Sequence, residues 1–348
     1  MNKTHLAGVL AASFVAFAAI GCSSSVTVGN PDDPTVHASF RGATVPDFED
    51  LSLGDAIQEG SLVLIPVSSK PQDSHGEIGE YATLAEAVKN GWIEIEEVSE
   101  YAEVDTLRVH YTGPKPLILM AGELLLGGKQ DRVVAKDVVI APNETAEVAV
   151  FCVEPGRWSG SSMHFTPQDG QVPLSVKREA MLGEQESVWA SVGEYNAESA
   201  PNAGGSSLKY GYSESKDSDE YQASLEKLMG VLSKEKDLVG VVIVIGGKIH
   251  SFEYFGSPKL FESASESIVR GALASSVLVA VKGDLPKTDS ITDFVSSSLN
   301  SLKNARASDQ NGGFARTVSE DLSVSGGALA DPEGGDLLHG SFFNNERK

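Results

Sequence analysis

Two short stretches gather the side chains able to do chemistry. The run from Ala121 to Arg132, AGELLLGGKQDR, ends one apolar segment. The run from Cys152 to Trp158, CVEPGRW, ends another. If those segments are neighbouring strands, Glu123, Gln130, Arg132, Glu154, Arg157 and Trp158 meet at one rim of a sheet. Guanidinium forks suit phosphate or carboxylate groups, and an indole offers a stacking face. Gln130, Arg132, Glu154, Arg157 and Trp158 are therefore the candidate residues for binding a small anionic or sugar-bearing ligand. Glu123 and Glu154 are the candidate acid and base of a hydrolase acting on phosphoester or glycosidic bonds, because two carboxyl groups of different pKa are the minimum equipment. A structural reading stands beside both. Arg132 and Arg157 pair with Glu123 and Glu154 and lock the strand ends.

Other chemistries lack their residues. The stretch from Gly122 to Gln130 is one residue too long for a phosphate loop, and Gln130 stands where Ser or Thr must bind magnesium. There is no G-x-G-x-x-G for a dinucleotide and no G-x-S-x-G for an α/β-hydrolase nucleophile. The seven His, at 5, 37, 75, 110, 164, 250 and 339, show no zinc spacing. No cofactor and no metal is implied. Cys152 lies inside an apolar run, where a thiol behaves as a small hydrophobe rather than a nucleophile.

The elements that must position these residues are mostly strands. Ser61 to Val67, Ile93 to Glu96, Leu107 to Tyr111, Leu117 to Ala121 and Glu147 to Val153 are short apolar or alternating runs separated by turn residues. Val239 to Ile245 and Lys248 to Phe255 flank Gly246-Gly247, a hairpin signature. Ser276 to Val281 reads as a last strand. Thr83-x-x-Glu86 has capping-box spacing and starts a short helix to Lys89. Leu225, Leu228, Met229 and Leu232 share one helical face, as do Phe261, Ala264, Ile268 and Ala272. The pattern predicts an α+β fold: a mainly antiparallel β-sandwich or open barrel with a few flanking helices.

The N-terminus reads as an address. Lys3 precedes an uncharged run from Leu6 to Ile20, too short for a confident membrane span and right for a secretory signal. Ala19-Ile20-Gly21-Cys22 resembles a bacterial lipobox, in which Cys22 takes the lipid, and Ser23 resembles the next residue of lipoproteins sent to an outer membrane. The expected organisation is a signal peptide over 1–21, a flexible tether over 22–45 and one domain over 46–285. Within it, an exposed insertion lies near 193–220. An amphipathic helix over 286–304 and a disordered tail over 305–348 follow. The membrane is then a partner, through a lipid on Cys22. With 49 acidic against 27 basic residues, the formal charge is −22, which argues against nucleic acid as a partner.

The stretches AGELLLGGKQDRVV and VFCVEPGRW, with TLAEAVKNGWIEIEEV before them and VGVVIVIGGKIHSFEYF after, resemble the ADP-ribosylglycohydrolase- and rhodanese-phosphatase-associated domain family. The resemblance covers about residues 47–280. It implies a nucleotide-like or ADP-ribose-like ligand, and it maps the family block onto Glu123, Gly127, Gln130, Arg132, Cys152, Glu154, Gly156, Arg157 and Trp158. Three functions follow as expectations: a lipid-anchored binding domain of the cell envelope, a hydrolase using Glu123 and Glu154, or a structural envelope lipoprotein.

Overall fold

The hairpin expected around Gly246-Gly247 forms and occupies the middle of the molecule. In the computed structural model, the described residues are 43–345 without 71–77, 79, 100–103, 158–161, 200–205, 210–211, 213–215, 217, 304, 308–312 and 333–334. The signal segment, Cys22 and Trp158 lie outside them. None of the helices among the described residues is long and apolar enough to cross a membrane.

Three sheets carry the strands. The central sheet holds β1 (Leu51–Leu53), β2 (Ile57–Glu59), β3 (Leu62–Ser69), β13 (Leu238–Ile245), β14 (Lys248–Phe255), β15 (Arg306–Ala307), β16 (Phe314–Val318), β17 (Val324–Ala330) and β18 (Leu337–Asn344). Its order is β1-β3-β13-β14-β18-β17-β16-β15, with β2 also on β3, and every pairing is antiparallel. A closed barrel, β11-β6-β5-β12-β8-β9, is made of β5 (Ile93–Glu97), β6 (Thr106–Tyr111), β8 (Glu123–Gly127), β9 (Arg132–Val134), β11 (Thr145–Cys152) and β12 (His164–Gln171). A small sheet joins β4 (Ala82–Thr83), β7 (Leu117–Leu119) and β10 (Val138–Ile140). The fold is α+β and mainly antiparallel. The barrel is closed rather than open, and helices rather than a second sheet cover the central sheet.

The helices are α1 (Leu84–Lys89), α2 (Leu174–Leu182), α3 (Gln185–Ser199), α4 (Asp219–Leu232), α5 (Pro258–Ser276) and α6 (Thr288–Lys303). Ser257 caps α5 by accepting from Leu260 N, and Pro258 stands at its first position, where no N–H is needed. Strand alternation divides the central sheet into two buried faces. Leu62, Leu64, Val241, Ile243 and Phe255 pack under α5, while Val63, Ile65, Val242, Val244 and Phe252 pack under α6. The barrel encloses a third cluster, with Ile95, Leu107, Val109, Val148 and Phe165. Each such side chain contributes about 1.5–3 kcal/mol by leaving water.

Three expectations are corrected. Beyond residue 305 the chain is not a disordered tail, because β16, β17 and β18 are buried in the central sheet. Its low apolar content has a packing cause. A Cβ on Gly326 would lie 2.4 Å from Ser341 O, and one on Gly327 would lie 2.4 Å from the Phe314 ring. The glycines that imitate a linker make room for the neighbouring strand and an aromatic ring. The segment near 193–220 is not simply exposed either. Tyr195, Ser207, Leu208 and Tyr212 are buried, and Tyr212 donates to Asp169 O at 3.0 Å. Finally, Ser276 ends α5 instead of starting a strand.

Candidate functional site

The residues gathered by the sequence occupy two separate networks. Arg132 on β9 is fully buried opposite Leu125 and Cys152. Its Nη1 donates to Gln130 O at 2.6 Å, its Nη2 lies 3.9 Å from Glu97 Oε1, and its guanidinium sits 5.9 Å from the centroid of the Phe165 ring. Arg157 is bound through Nε to Glu154 Oε2, and its Nη2 lies 3.3 Å from Asp131 Oδ1. Asp131 is buried and also accepts from Gly127 N at 2.9 Å and Ser207 Oγ at 2.9 Å. Gln130 and Glu154 are buried beside them. This arrangement fastens the strand ends and the 207–209 segment to one another. Each guanidinium faces acidic or carbonyl oxygens; Arg132 is sealed from solvent, whereas the Arg157 side chain remains partly exposed. Cys152 is buried, and burial pushes its thiol up to about 11, so it is a protonated, inert side chain at neutral pH.

Glu123 belongs elsewhere. It begins β8, and the turn before it presents two consecutive amides. Met120 N donates to Glu123 Oε2 at 3.0 Å, and Ala121 N donates to Asp137 Oδ1 at 2.8 Å. The other oxygen of Asp137 lies 2.6 Å from His339 Nδ1. His339 Nε2 lies 3.3 Å from Glu253 Oε2. Glu253 accepts from Lys177 Nζ at 2.9 Å on each oxygen and from Ser341 Oγ at 2.8 Å. Lys177 Nζ also donates to Gln171 Oε1 at 3.0 Å, and Gln171 is the register partner of Glu123 across β12 and β8. The chain of contacts thus closes on itself. Asp137, Lys177, Glu253 and His339 are all buried, so these charges meet no bulk water.

The network has a definite charge pattern. Both ring nitrogens of His339 face carboxylates, so both must donate, and the ring is an imidazolium. Burial alone lowers its pKa, but Asp137 and Glu253 outweigh that and raise it to about 9. Burial also opposes ionisation of Glu253, yet Lys177 and His339 hold its pKa below the usual carboxylate range. Two cations serve three carboxyl groups. Glu123 is left over, and burial, with Asp137 adding to it, raises its pKa to about 8 against the opposing pull of the Met120 amide, Lys177 and His339. It is a neutral carboxylic acid at pH 7.

Glycine makes this packing feasible. Gly122 has φ +91°, and a Cβ there would lie 2.9 Å from Lys177 Cγ. The Lys177 stem therefore lies over the bare Cα on its way to Glu253.

Glu123 also lines a cleft of about 250 Å³. One wall is α1, with Leu84 and Val88. The second is the irregular part of β12, with Gln168 and Asp169, where the register with β8 shifts. The third is α5, with Ser267 and Arg270. An acid kept protonated by its surroundings at the base of a cleft is a recurrent property of ligand and catalytic sites. Neither Arg132 nor Arg157 lines this cleft. Among the described residues, no group of three or more His, Cys, Asp or Glu is arranged to hold a metal ion.

Sequence reading singled out Glu123 and missed Asp137, Lys177, Glu253 and His339. A usable signal was present. Glu253 stands between Phe252 and Tyr254, and His339 stands between Leu338 and Gly340, each among apolar or small immediate neighbours. A charged residue in such a run is costly unless a partner meets it.

No curated protein and no solved structure matches the chain. Residues 50–343 match the sequence model of the ARG and Rhodanese-Phosphatase-superfamily-associated Protein domain, and the chain belongs to that family, ARPP-1.

Proposed function

We propose that the protein is a lipid-anchored domain of the bacterial cell envelope that binds a small molecule in the cleft over Glu123. The carrying observation is the neutral Glu123 carboxyl, backed by four buried charges and opening on that cleft. A buried ionic network of this size costs desolvation energy, and hydrophobic residues of equal volume often stabilise as well or better. Keeping it beneath a cleft is economical if it orients and protonates the group that meets the ligand.

Thermal unfolding in fractions of a metabolite extract tests the binding. At least one fraction should raise Tm of the wild type and leave Ser267→Trp, which fills the cleft, unchanged. If Arg157→Ala instead of Ser267→Trp removes the shift, the ligand lies at the Gln130/Arg132/Glu154/Arg157/Trp158 rim and this reading fails. The anchor rests on Leu6–Ile20 and Cys22, and Ser23 after it supports an outer-membrane lipoprotein facing the periplasm. Cys22→Ser should abolish incorporation of labelled palmitate and release the chain from the membrane fraction. A chain still labelled after that substitution refutes the anchor.

A second reading, hydrolysis of a glycosidic or phosphoester bond, is favoured by the same raised pKa, which keeps Glu123 ready to give a proton. Glu154 is a poor partner for it, because Arg157 and the Asp131 network hold it in the other cluster. Turnover that collapses in Glu123→Gln would establish this reading.

A further inference from the structure

We propose that the cleft takes an uncharged, hydroxyl-rich ligand the size of one sugar ring, and that Glu123 meets it as a donor and acceptor together. The proposal rests on the reading of the cleft as a ligand site and names the class of ligand.

Size comes first. At about 30 Å³ per water, the cleft's 250 Å³ amounts to roughly eight waters. That suits one ring with its hydroxyls inside the cleft.

Charge then selects within that size. At the rim, Glu266 holds Arg270 through Nε at 3.0 Å and Nη2 at 2.6 Å, so the one guanidinium lining the cleft is already engaged. Asp169 adds a second carboxylate to the lining. A phosphate entering here meets two acids and a committed arginine, on a chain of net charge −22. Deeper in, Lys177 and His339 are matched by Glu253 and Asp137. That layer has no spare charge of either sign, and its two cations oppose a positive group placed against Glu123. Neither an anion nor a cation finds its counterion at the base of the cleft.

Hydrogen bonding points the same way. A carboxylic acid offers one O–H and one carbonyl, as a hydroxyl offers one donor and two acceptors. Gln168 and Ser267 supply further groups of both kinds, and Leu84 and Val88 give an apolar wall for ring C–H. A site built to hydrogen-bond hydroxyls rejects analogues that leave its polar groups unpaired.

Titration calorimetry on the detergent-solubilised full chain tests this. The probes are ribose, arabinose, glucose, galactose and mannose, their terminal phosphate esters, and glucosamine. A neutral sugar should bind, with its phosphate ester weaker by about tenfold or more. Affinity should fall about tenfold per pH unit above pH 8, as the proton leaves Glu123 in the field of Asp137, Lys177 and His339 from within and Asp169, Glu266 and Arg270 from the rim. Glu123→Gln, which keeps donor and acceptor, should bind about threefold more weakly at pH 7 and lose the pH dependence. Glu123→Leu should lose binding.

A phosphate ester or glucosamine that binds as tightly as the neutral sugar overturns the ligand class. If Ser267→Trp still abolishes that binding, the cleft reading survives it. Silence from every neutral sugar at about 10 mM also overturns the class, since a real site for them should exceed about −3 kcal/mol. The extract screen with Ser267→Trp then decides the cleft independently.

Discussion

His339 Nδ1 lies 2.6 Å from Asp137 Oδ2 across 202 residues of sequence, and this contact ties the last strand of the central sheet to the segment between β9 and β10. The barrel and the central sheet share one buried charge network through it. Four consequences can be measured.

Stability should fall as pH rises from about 6.5 to 9. Glu123 has a folded pKa near 8, above its value of 4.5 in the open chain, so its contribution declines from pH 4.5 and is gone above 8. His339 has a folded pKa near 9 against 6.5, so its contribution is complete below 6.5 and is lost through 9. Both slopes have the same sign between 6.5 and 8. Urea midpoints across that range should drop, and Glu123→Gln should flatten the curve. A midpoint constant from pH 6.5 to 9 contradicts the network.

Lys177→Met and Glu253→Leu should each destabilise the fold by about 3–5 kcal/mol, because each leaves an uncompensated buried charge. The double variant should cost clearly less than the sum. It leaves the His339–Asp137 pair, which balances itself. A double-mutant cycle in urea measures the difference, and strict additivity would show that the two side chains do not interact.

Cys152 should resist alkylation. In a Cys22→Ser protein, iodoacetamide at pH 8 should leave the native chain unmodified, because burial keeps the Cys152 thiol protonated. Unfolding in guanidinium should expose it to full reaction. Rapid labelling of the folded protein would contradict its burial.

Truncation after residue 305 should abolish cooperative unfolding. The cut removes β15 to β18, leaves β14 as a bare edge and deletes His339. Circular dichroism and a thermal melt report the outcome. A truncated chain that still melts as sharply as the whole would mean that the final strands merely decorate the fold.

Much of the fold could be read from the chain alone. Thr83 accepts from Glu86 N as the capping spacing required, the Gly246-Gly247 hairpin formed, and the periodic residues Phe261, Ala264, Ile268 and Ala272 line the buried face of α5. These are local facts, set by the period of apolar residues and the conformations that capping and turn residues permit. The family block was legible as well, and so was the clustering of Arg132 and Arg157 with acidic neighbours. Which acids they take was not: Arg132 faces Glu97, and Arg157 takes Asp131 as well as Glu154.

Tertiary structure decided the rest. Glu123 left its sequence neighbours for a network assembled from Asp137, Lys177, Glu253 and His339, which approach from four different parts of the chain. Strand order brings them together, and strand order follows long-range burial that no local period encodes. The same cause hid the final strands. Gly326 and Gly327 look like a linker in sequence, yet they lie beneath Phe342 and Phe314, where a side chain has no room. Residue type and spacing determined which side chains could do chemistry. The packing of sheet, barrel and α5 determined which carboxyl keeps its proton, because burial and the count of neighbouring charges exist only once the chain has folded.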